Sequence, residues 1–310
     1  MSTFDRIAII GAGHVGSTTA FALMLRGLFR EIVLIDQDKA LAEAEAADLL
    51  DANALTRPAR VWAGTYADAG AAGIAIITAG AVTRGDESRL TVASRSASVV
   101  ASCTASLREA GFDGVLIIAA NPVDLMALVA FRAAGLPAHK VIGTGTLLDS
   151  NRLRQRIAER LGVAPGTVQA MVLGEHGDSE VAAFSTVRLG GLTLGAFNPP
   201  GEPLDHAEVA REVRDAAYRV IEGKGYTSFG IATAIVRIAE AIVRDERVIL
   251  PVSTLLTGQF GIDQIYLSLP CVLGAKGIDR VLEPELSAEE ACNLQVSAAV
   301  VRAAAGRDSR

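Results

Sequence analysis

Cysteine and histidine are scarce in this chain. Its 310 residues include four histidines and three cysteines, and the cysteines Cys103, Cys271 and Cys292 lie far apart. Zinc sites need several such ligands at short spacing, and disulfide-rich domains need more cysteines. The sequence therefore predicts no metal site and three buried thiols. Its chemistry must come from an organic cofactor or from side chains alone.

Long apolar runs and a basic face are also missing. Half of the residues are hydrophobic, yet apolar runs such as 74–78 and 115–120 have the length of strands, not of a membrane span. No basic and apolar signal region precedes the first predicted strand. Lys and Arg total 29 against 35 Asp and Glu, a net charge of −6, which argues against a nucleic-acid partner. We expect a soluble cytoplasmic protein with no nucleic-acid or membrane partner.

The N-terminal segment has the pattern of a dinucleotide-binding unit. A short strand at 6–10 runs into Gly11-Ala12-Gly13-His14-Val15-Gly16, followed by helical spacing and a second strand at 31–35. A lone glycine motif is a weak signal, but this one lies between strand and helix with an acid, Asp36, 20 residues beyond its last glycine. The first two glycines let the backbone turn and approach a pyrophosphate, and the third lets helix pack on strand. A purely structural glycine turn is the alternative.

Asp36 bears on which dinucleotide binds. Its carboxylate is suited to accept hydrogen bonds from the adenosine ribose hydroxyls and would repel a 2′-phosphate. Gln37 follows it, and the nearest cation is Lys39. We therefore predict NAD rather than NADP, with His14 and Val15 of the loop among the cofactor contacts.

The alternation of strand and helix continues to about residue 144 and then breaks down. Further strands are predicted at 60–63, 73–78, 114–119 and 141–143. Beyond residue 161 the alternation ends, and the predicted elements are strands at 168–173, 181–194, 247–254 and 265–269, and helices at 205–222, 229–244 and 287–305. We predict an α/β fold, a Rossmann-type doubly wound parallel sheet over residues 1–144 followed by a mixed α+β substrate domain over residues 145–310.

One histidine is placed as a reactive residue would be. His176 lies in a polar turn directly after an apolar run that ends at Gly174, with Glu175, Asp178 and Glu180 close in sequence. Strand ends present reactive side chains, and histidine exchanges a proton near neutral pH. The alternative is a histidine whose hydrogen bonds are simply satisfied within the turn.

Other polar side chains follow the strands of the first lobe. Asp149 and Arg152 are three positions apart on a predicted helix and share a face, Arg84 and Arg89 lie in a charged loop, and Asn121 opens a helix. An intrahelical ion pair, solvated arginines and a helix cap are the ordinary alternatives. Hydride transfer to a carbonyl needs a proton donor, a polarising group and a substrate anchor. Spacing alone does not assign these roles.

Six ordered segments together carry a family resemblance. They are Gly11 to Gly16, Ala79 to Ala81, Glu87 to Arg89, Ala120 to Asp124, Gly143 to Arg152 and Gly174 to Glu180. Over essentially its whole length the chain resembles the NAD-dependent L-lactate and malate dehydrogenases. Within that family, residues 111–148 and 223–244 are most similar to the L-2-hydroxyisocaproate dehydrogenases.

The resemblance implies a role for each candidate. His176 would donate the proton in ketoacid reduction and accept it in hydroxyacid oxidation, and Asp149 would hold its other ring nitrogen. Arg152 would bind the substrate carboxylate through two parallel hydrogen bonds. Arg89 would arrive with loop closure and polarise the carbonyl. Asn121 would contact the cofactor ribose or the substrate, and its bond to the following proline is expected to be cis.

Substrate choice is predicted from a departure in the loop. Counting back from Arg89, Thr83 stands where lactate dehydrogenases have glutamine and malate dehydrogenases arginine. Threonine is uncharged, so it would not pair with a second carboxylate, and we expect pyruvate and bulkier apolar 2-oxo acids as substrates. Arg84 lies one position off this register; a loop shift that brought it inward would favour malate dehydrogenase activity, the alternative. Thr227 matches the threonine that limits substrate size in relatives.

A catalytically silent NAD-binding protein is the alternative from a different class of function. Such a protein would keep the glycine loop but lose at least one of His176, Asp149, Arg152 and Arg89, and all four are present.

Relatives are dimers or tetramers. The resemblance therefore implies a homo-oligomer, with a homotetramer as the expectation.

We predict that fructose 1,6-bisphosphate does not activate this protein. Allosteric bacterial relatives bind a sugar bisphosphate between subunits through an arginine and a histidine; Arg154 matches the arginine, but Gln169 replaces the histidine. Steady-state kinetics with and without the bisphosphate should give the same KM for the 2-oxo acid. A many-fold fall in KM would contradict this prediction.

Overall fold

The computed structural model describes residues 4–81, 89–198 and 204–306, except for the side chains of Arg89 and Leu90. Its strands are β1 (Arg6–Ile10), β2 (Glu31–Ile35), β3 (Arg60–Ala63), β4 (Ile74–Ile77), β5 (Val115–Ile118), β6 (Val141–Gly143), β7 (Val168–Gln169), β8 (Val172–Leu173), β9 (Val181–Ala182), β10 (Arg188–Leu189), β11 (Leu192–Thr193), β12 (Val248–Thr257), β13 (Asp263–Gly274) and β14 (Gly277–Val281). Its helices are α1 (His14–Arg26), α2 (Lys39–Asn53), α3 (Tyr66–Gly70), α4 (Arg89–Glu109), α5 (Val123–Ala134), α6 (Leu147–Leu161), α7 (Leu194–Phe197), α8 (His206–Lys224), α9 (Phe229–Val243) and α10 (Ala288–Ala305).

A nine-stranded sheet organises both halves of the chain. Its strand order is β14-β13-β12-β6-β5-β4-β1-β2-β3, and β1 to β6 are parallel. This order confirms the predicted Rossmann-type, doubly wound sheet. The antiparallel strands β12, β13 and β14 extend the same sheet beyond β6, through the pairing of Ser253 with Gly143. The second half thus adds a mixed α+β region without forming a separate main sheet.

The central strands are apolar on both faces because helices cover both sides of the sheet. In β1, Ile7 and Ile9 pack with α1 and α9, whereas Ala8 and Ile10 pack into a second core with α4 and α5. The helix α9 comes from the second half of the chain, yet it packs directly against α1. This packing brings the segment that precedes α9 to the start of α1.

The run at 168–173 does not form the single strand that its apolar pattern predicts. Side chains of α6 take up its backbone groups: Arg154 Nε donates to the carbonyl of Ala170 at 3.0 Å, and Ser150 Oγ accepts from the N–H of Val172 at 2.8 Å. The run therefore divides into β7, which pairs with β10, and β8, which pairs with β9. The predicted strand at 181–194 likewise divides into β9, β10 and β11.

Among the described residues, no helix combines the length and the apolar character that crossing a bilayer requires.

The close packing of α1 on the glycine loop yields a stability prediction. A Cβ at Gly16 would lie 1.8 Å from the carbonyl oxygen of Gly11, so Gly16→Ala forces backbone to move and should lower the free energy of unfolding by about 1–3 kcal/mol. As a matched control, Gly223→Ala adds a Cβ with no atom within 4 Å near the end of α8, and should be neutral or slightly stabilising. Thermal unfolding measures both, and equal effects would contradict the prediction.

Candidate active site

A cavity of about 730 Å³ opens at the carboxyl ends of the parallel strands. Its walls include the glycine loop, Asp36 at the end of β2 and Thr78 at the end of β4. The second half of the chain contributes Tyr226 and Thr227, which precede α9. Ligands of open α/β sheets bind at this edge, where the strand order reverses on either side of β1.

The glycine loop has the shape that a dinucleotide requires. Gly11 has a φ of +107° and lies where a Cβ would come within 2.6 Å of the Ala79 nitrogen. At Gly13 a Cβ would have no neighbour within 4 Å, so the backbone there is open to a phosphate. The first turn of α1, with its N–H groups unused within the helix, follows at once. The residues present therefore fit the pyrophosphate of a dinucleotide.

Asp36 does more than the sequence suggests. Its Oδ2 accepts a hydrogen bond from the Ala12 N–H at 2.7 Å, and its Oδ1 accepts one from the Asp38 N–H at 3.0 Å. The carboxylate thus braces the glycine loop while it lines the cavity. Each oxygen keeps a further lone pair for a ribose hydroxyl.

The side chain of His14, at the start of α1, contacts the second half of the chain. Its ring stacks on Tyr226 with the centroids 3.8 Å apart and the planes at 12°. Lys224 Nζ lies 4.3 Å from the centroid of the Tyr226 ring. The neighbouring Thr227 lies on the cavity wall.

The turn that carries His176 is held by three different elements. Gly174 exchanges backbone hydrogen bonds of 3.0 and 3.1 Å with Ser268 of β13. The Glu175 N–H donates to Ser297 Oγ of α10 at 2.7 Å. The N–H of His176 itself donates to Asp124 Oδ2 of α5 at 2.8 Å. The backbone of the histidine is therefore set by long-range contacts and not by the turn alone.

Asp149 links the histidine to an arginine. Its Oδ2 lies 2.6 Å from His176 Nδ1, and its Oδ1 accepts from Arg152 Nη1 at 2.7 Å. The Asp149 side chain is 3% exposed, whereas that of His176 is 26% exposed. The Arg152 pair is thus the intrahelical ion pair that spacing predicts, and it is also part of a buried chain of three charges. With Nδ1 facing Asp149, the Nε2 edge of the imidazole is left for a ligand.

The charges around His176 favour its protonated form. Burial by itself favours the neutral ring, but the carboxylates of Asp149, Asp124 and Glu180 outweigh it and raise the pKa of His176 to about 9. Burial also opposes the charge of Asp149, yet His176 and Arg152 hold the pKa of that carboxyl below its usual range. The pair is therefore an imidazolium and a carboxylate at neutral pH.

The acids closest to His176 in sequence are not its main partners. Glu175 accepts a hydrogen bond from Ser179, and Asp178 accepts one from Tyr218 at 2.9 Å. Glu180 accepts no hydrogen bond from a described residue; burial and the Asp149 charge raise its pKa to about 8. Sequence reasoning missed Asp124 as a partner of His176, although the family resemblance includes the segment Ala120 to Asp124.

Asn121 lies after β5, at the sheet edge that opens into the cavity. Its side chain is exposed, and its bond to Pro122 is cis, as the resemblance implied. Pro122 occupies the N-cap position of α5, so Asn121 is not that cap. Arg89 is the first residue of α4. Its side chain, Thr83 and Arg84 lie outside the described residues.

Two domains of one protein family match nearly the whole length of this chain. Residues 5–143 match the NAD binding domain of lactate/malate dehydrogenases, and residues 146–306 match the alpha/beta C-terminal domain of the same family. The chain belongs to the lactate/malate dehydrogenase family. The match to the family's NAD-binding domain confirms NAD as the expected cofactor.

Individual members of the lactate/malate dehydrogenase family are similar along their full length. The L-lactate dehydrogenase of Thermus aquaticus is 43% identical over 304 residues, 97% of this chain and 98% of that protein. The L-lactate dehydrogenase of Synechococcus sp. (strain JA-3-3Ab) is 39% identical, over 95% of this chain and 96% of that protein. The crystal structure of MGS-M5, a lactate dehydrogenase enzyme from a Medee basin deep-sea metagenome library, superposes with a TM-score of 0.96 at 36% identity and covers 99% of both chains.

We predict that the His176 ring titrates far above an ordinary histidine. Since its folded pKa is raised to about 9, the ring should stay protonated through neutral pH. The stabilisation from the charged pair should be complete below the unfolded pKa of about 6.5 and be lost as the pH rises through about 9. NMR titration of the ring, identified by its loss in His176→Asn, measures this.

The matched variant for this titration is Asp149→Asn. It should bring the His176 pKa down to about 6.5 or lower, because burial then dominates. A wild-type ring that titrates near 6.5 would contradict the prediction.

Proposed function

We propose that this chain is an NAD-dependent L-2-hydroxyacid dehydrogenase of the lactate type, acting on 2-hydroxy and 2-oxo monocarboxylic acids. The observation that carries the proposal is the buried chain of Arg152, Asp149 and His176 in a fold whose glycine loop fits a dinucleotide. In this proposal residues 1–144 bind the cofactor, and residues 145–310 supply most of the groups that act on the substrate.

His176 is the proton donor in this proposal. NADH, held by the glycine loop and Asp36, would supply the hydride for the substrate carbonyl carbon. The Nε2–H of His176 gives its proton to the carbonyl oxygen, and the neutral ring keeps its Nδ1–H on Asp149. In hydroxyacid oxidation Nε2 accepts the proton, and the carboxylate 2.6 Å from Nδ1 stabilises the imidazolium that forms. Asp149 also selects the tautomer that leaves Nε2 free.

Arg152 anchors the substrate carboxylate. One of its nitrogens is occupied by Asp149, and within the described part of the chain its other N–H groups have no acceptor. The Arg152 side chain is 18% exposed, and its ion pair with Asp149 limits its rotation. A planar fork held in this way binds a carboxylate through two parallel hydrogen bonds, which lysine does not reproduce.

The remaining roles rest on the family resemblance. Arg89, at the start of α4, polarises the carbonyl when its loop closes, and Asn121 contacts the cofactor ribose or the substrate. By the same resemblance, Thr83 bears on the choice of substrate and Thr227 limits substrate size. Because Thr83 carries no charge, the pocket takes an apolar substrate side chain in preference to a second carboxylate.

Assembly and location complete the proposal. We propose a cytoplasmic homo-oligomer, a tetramer or a dimer. Exposed apolar side chains on the neighbouring helices α1 and α9, namely Phe21, Leu25 and Phe229, support an interface between copies of the chain.

A substrate panel tests the proposed activity. The oxidation of NADH, followed by absorbance, should show a higher kcat/KM for pyruvate and 2-oxoisocaproate than for oxaloacetate. A clear preference for oxaloacetate would replace the proposal with malate dehydrogenase activity. NADH binding without turnover of any 2-oxo acid would indicate a silent NAD-binding protein.

Two variants of the active site test the proposed roles. His176→Asn should lower kcat by about 10²–10⁴-fold and leave NADH binding, measured by fluorescence, unchanged. Arg152→Lys keeps the charge but loses the paired geometry, so it should raise KM for the 2-oxo acid more than it changes NADH binding. Full activity in His176→Asn would overturn the mechanism.

A further inference from the structure

Asp124 is a buried carboxylate that the proposed mechanism does not use. It is the second residue of α5, is 2% exposed, and both of its oxygens are occupied. Oδ2 accepts the His176 N–H at 2.8 Å, across 52 sequence positions, and Oδ1 accepts from Ser253 Oγ at 2.5 Å, across 129 positions. Three distant segments of the chain therefore meet at one side chain.

We propose that Asp124 is a positioning residue. It fixes the His176 backbone relative to the loop that carries Asn121, and its negative charge favours the imidazolium form of His176. The inference rests on the proposed function, because it assigns to His176 the part of proton donor. Because Asp124 is buried and both of its oxygens are occupied, it acts through His176 and not on the substrate directly.

The surroundings of Asp124 explain how it holds its place. It lies three residues beyond Asn121, so the loop that is proposed to contact cofactor or substrate carries the anchor of the proton donor. Ser253, on β12, pairs with Gly143 of β6, and a Cβ at Gly143 would lie 2.8 Å from the Ser253 Cβ. The serine hydroxyl is thus set by the main sheet. A displacement of the Asn121 loop would be transmitted to His176 through the hydrogen bond that the His176 N–H donates to Asp124.

The charge state of Asp124 is set by opposing effects. Burial raises its pKa to about 6, against hydrogen bonds from Ser253 and the His176 N–H and the charge of the imidazolium. Its position in the first turn of α5 also favours an anion. At neutral pH it is mostly ionised, and it adds to the field on His176.

Several other charged groups act on the same ring. Asp149 and Arg152 face it from α6, and Glu180 lies on its own loop. Since the pKa of Glu180 is raised to about 8, it is mostly neutral at pH 7 and acts on the ring as a carboxylate at higher pH, where Arg214 of α8 partly offsets its charge. Glu175 faces Asp124. Removal of Asp124 alone should therefore shift the titration of His176 by less than removal of Asp149, which bonds the ring directly.

Three substitutions separate geometry from charge. Asp124→Asn removes the charge but can keep both links, since its amide oxygen accepts from His176 N–H and its NH₂ donates to Ser253 Oγ. Asp124→Ala removes links and charge together. Ser253→Ala keeps the charge and loses one link. Ser297→Ala is the control: it frees the Glu175 N–H in the same turn without removing a charge.

The first readout is the NMR titration of the His176 ring in the cofactor-free protein. In Asp124→Asn the pKa should fall from about 9 to about 8, and in Ser253→Ala and Ser297→Ala it should stay near 9. An unchanged titration in Asp124→Asn would overturn the electrostatic part of the proposal. This readout needs no turnover, so it gives an answer even if the proposed function fails.

The second readout is kinetic, in the direction of 2-oxo acid reduction. Asp124→Ala should lower kcat by about 10²-fold, Asp124→Asn by only a few-fold at pH 7, and neither should change the KM for NADH more than a few-fold. Loss of thermal stability with unchanged kcat per folded molecule would reduce Asp124 to a structural residue. If Asp124→Ala does not fold, Ser253→Ala decides the matter, because it keeps the charge and loses one link. A lowered kcat in Ser253→Ala supports positioning, and an unchanged kcat refutes it.

Failure of the proposed function has its own signature. Wild-type protein that turns over no 2-oxo acid, with a shifted His176 titration in Asp124→Asn, would refute the activity and support the coupling of the two residues. Wild-type turnover with unaltered titration and kcat in all Asp124 variants would refute the inference alone.

Discussion

A single buried carboxylate, Asp149, sets the geometry of the proposed active site. Burial of an unpaired carboxylate costs several kcal/mol, so the fold must keep cations against it. Here His176 and Arg152 occupy its two oxygens at 2.6 and 2.7 Å. The same requirement that keeps Asp149 ionised therefore fixes the spacing between the proposed proton donor and the proposed carboxylate anchor. A 2-oxo acid presents its carbonyl and carboxylate on adjacent carbons, and a fixed spacing of the two groups suits it.

The sheet carries this constraint to the cofactor cavity. The histidine turn bridges to β13 through Gly174 and Ser268, while the glycine loop follows β1 of the same nine-stranded sheet. Asp124 adds a second connection, from α5 to the His176 backbone. The two reacting partners of the proposed chemistry are thus held by one continuous framework. Preorganisation of this kind is how enzymes lower the entropy cost of bringing groups together.

Local signals account for what the sequence predicts well. Short stretches of chain determine the glycine loop, the six parallel strands and the helix face that Asp149 and Arg152 share. Asp124, Ser253 and Ser297 escaped prediction because each bonds to the histidine turn, or to its anchor, across 52 to 129 positions. An aspartate in the first turn of a helix has an ordinary local explanation as well. The division of residues 168–173 escaped for the same reason, because side chains of α6 take up its backbone groups.

The packing of α9 on α1 bears on how the chain behaves as a folding unit. The helix covers the face of the sheet that presents Ile7 and Ile9, and it brings Tyr226 onto the ring of His14. A recombinant fragment that ended after β6 would leave this apolar face in water. It would also lose the Tyr226 ring that stacks on His14 of the glycine loop. The two halves therefore share one hydrophobic core. A nucleotide held between them would stabilise both at once and resist their separation during unfolding.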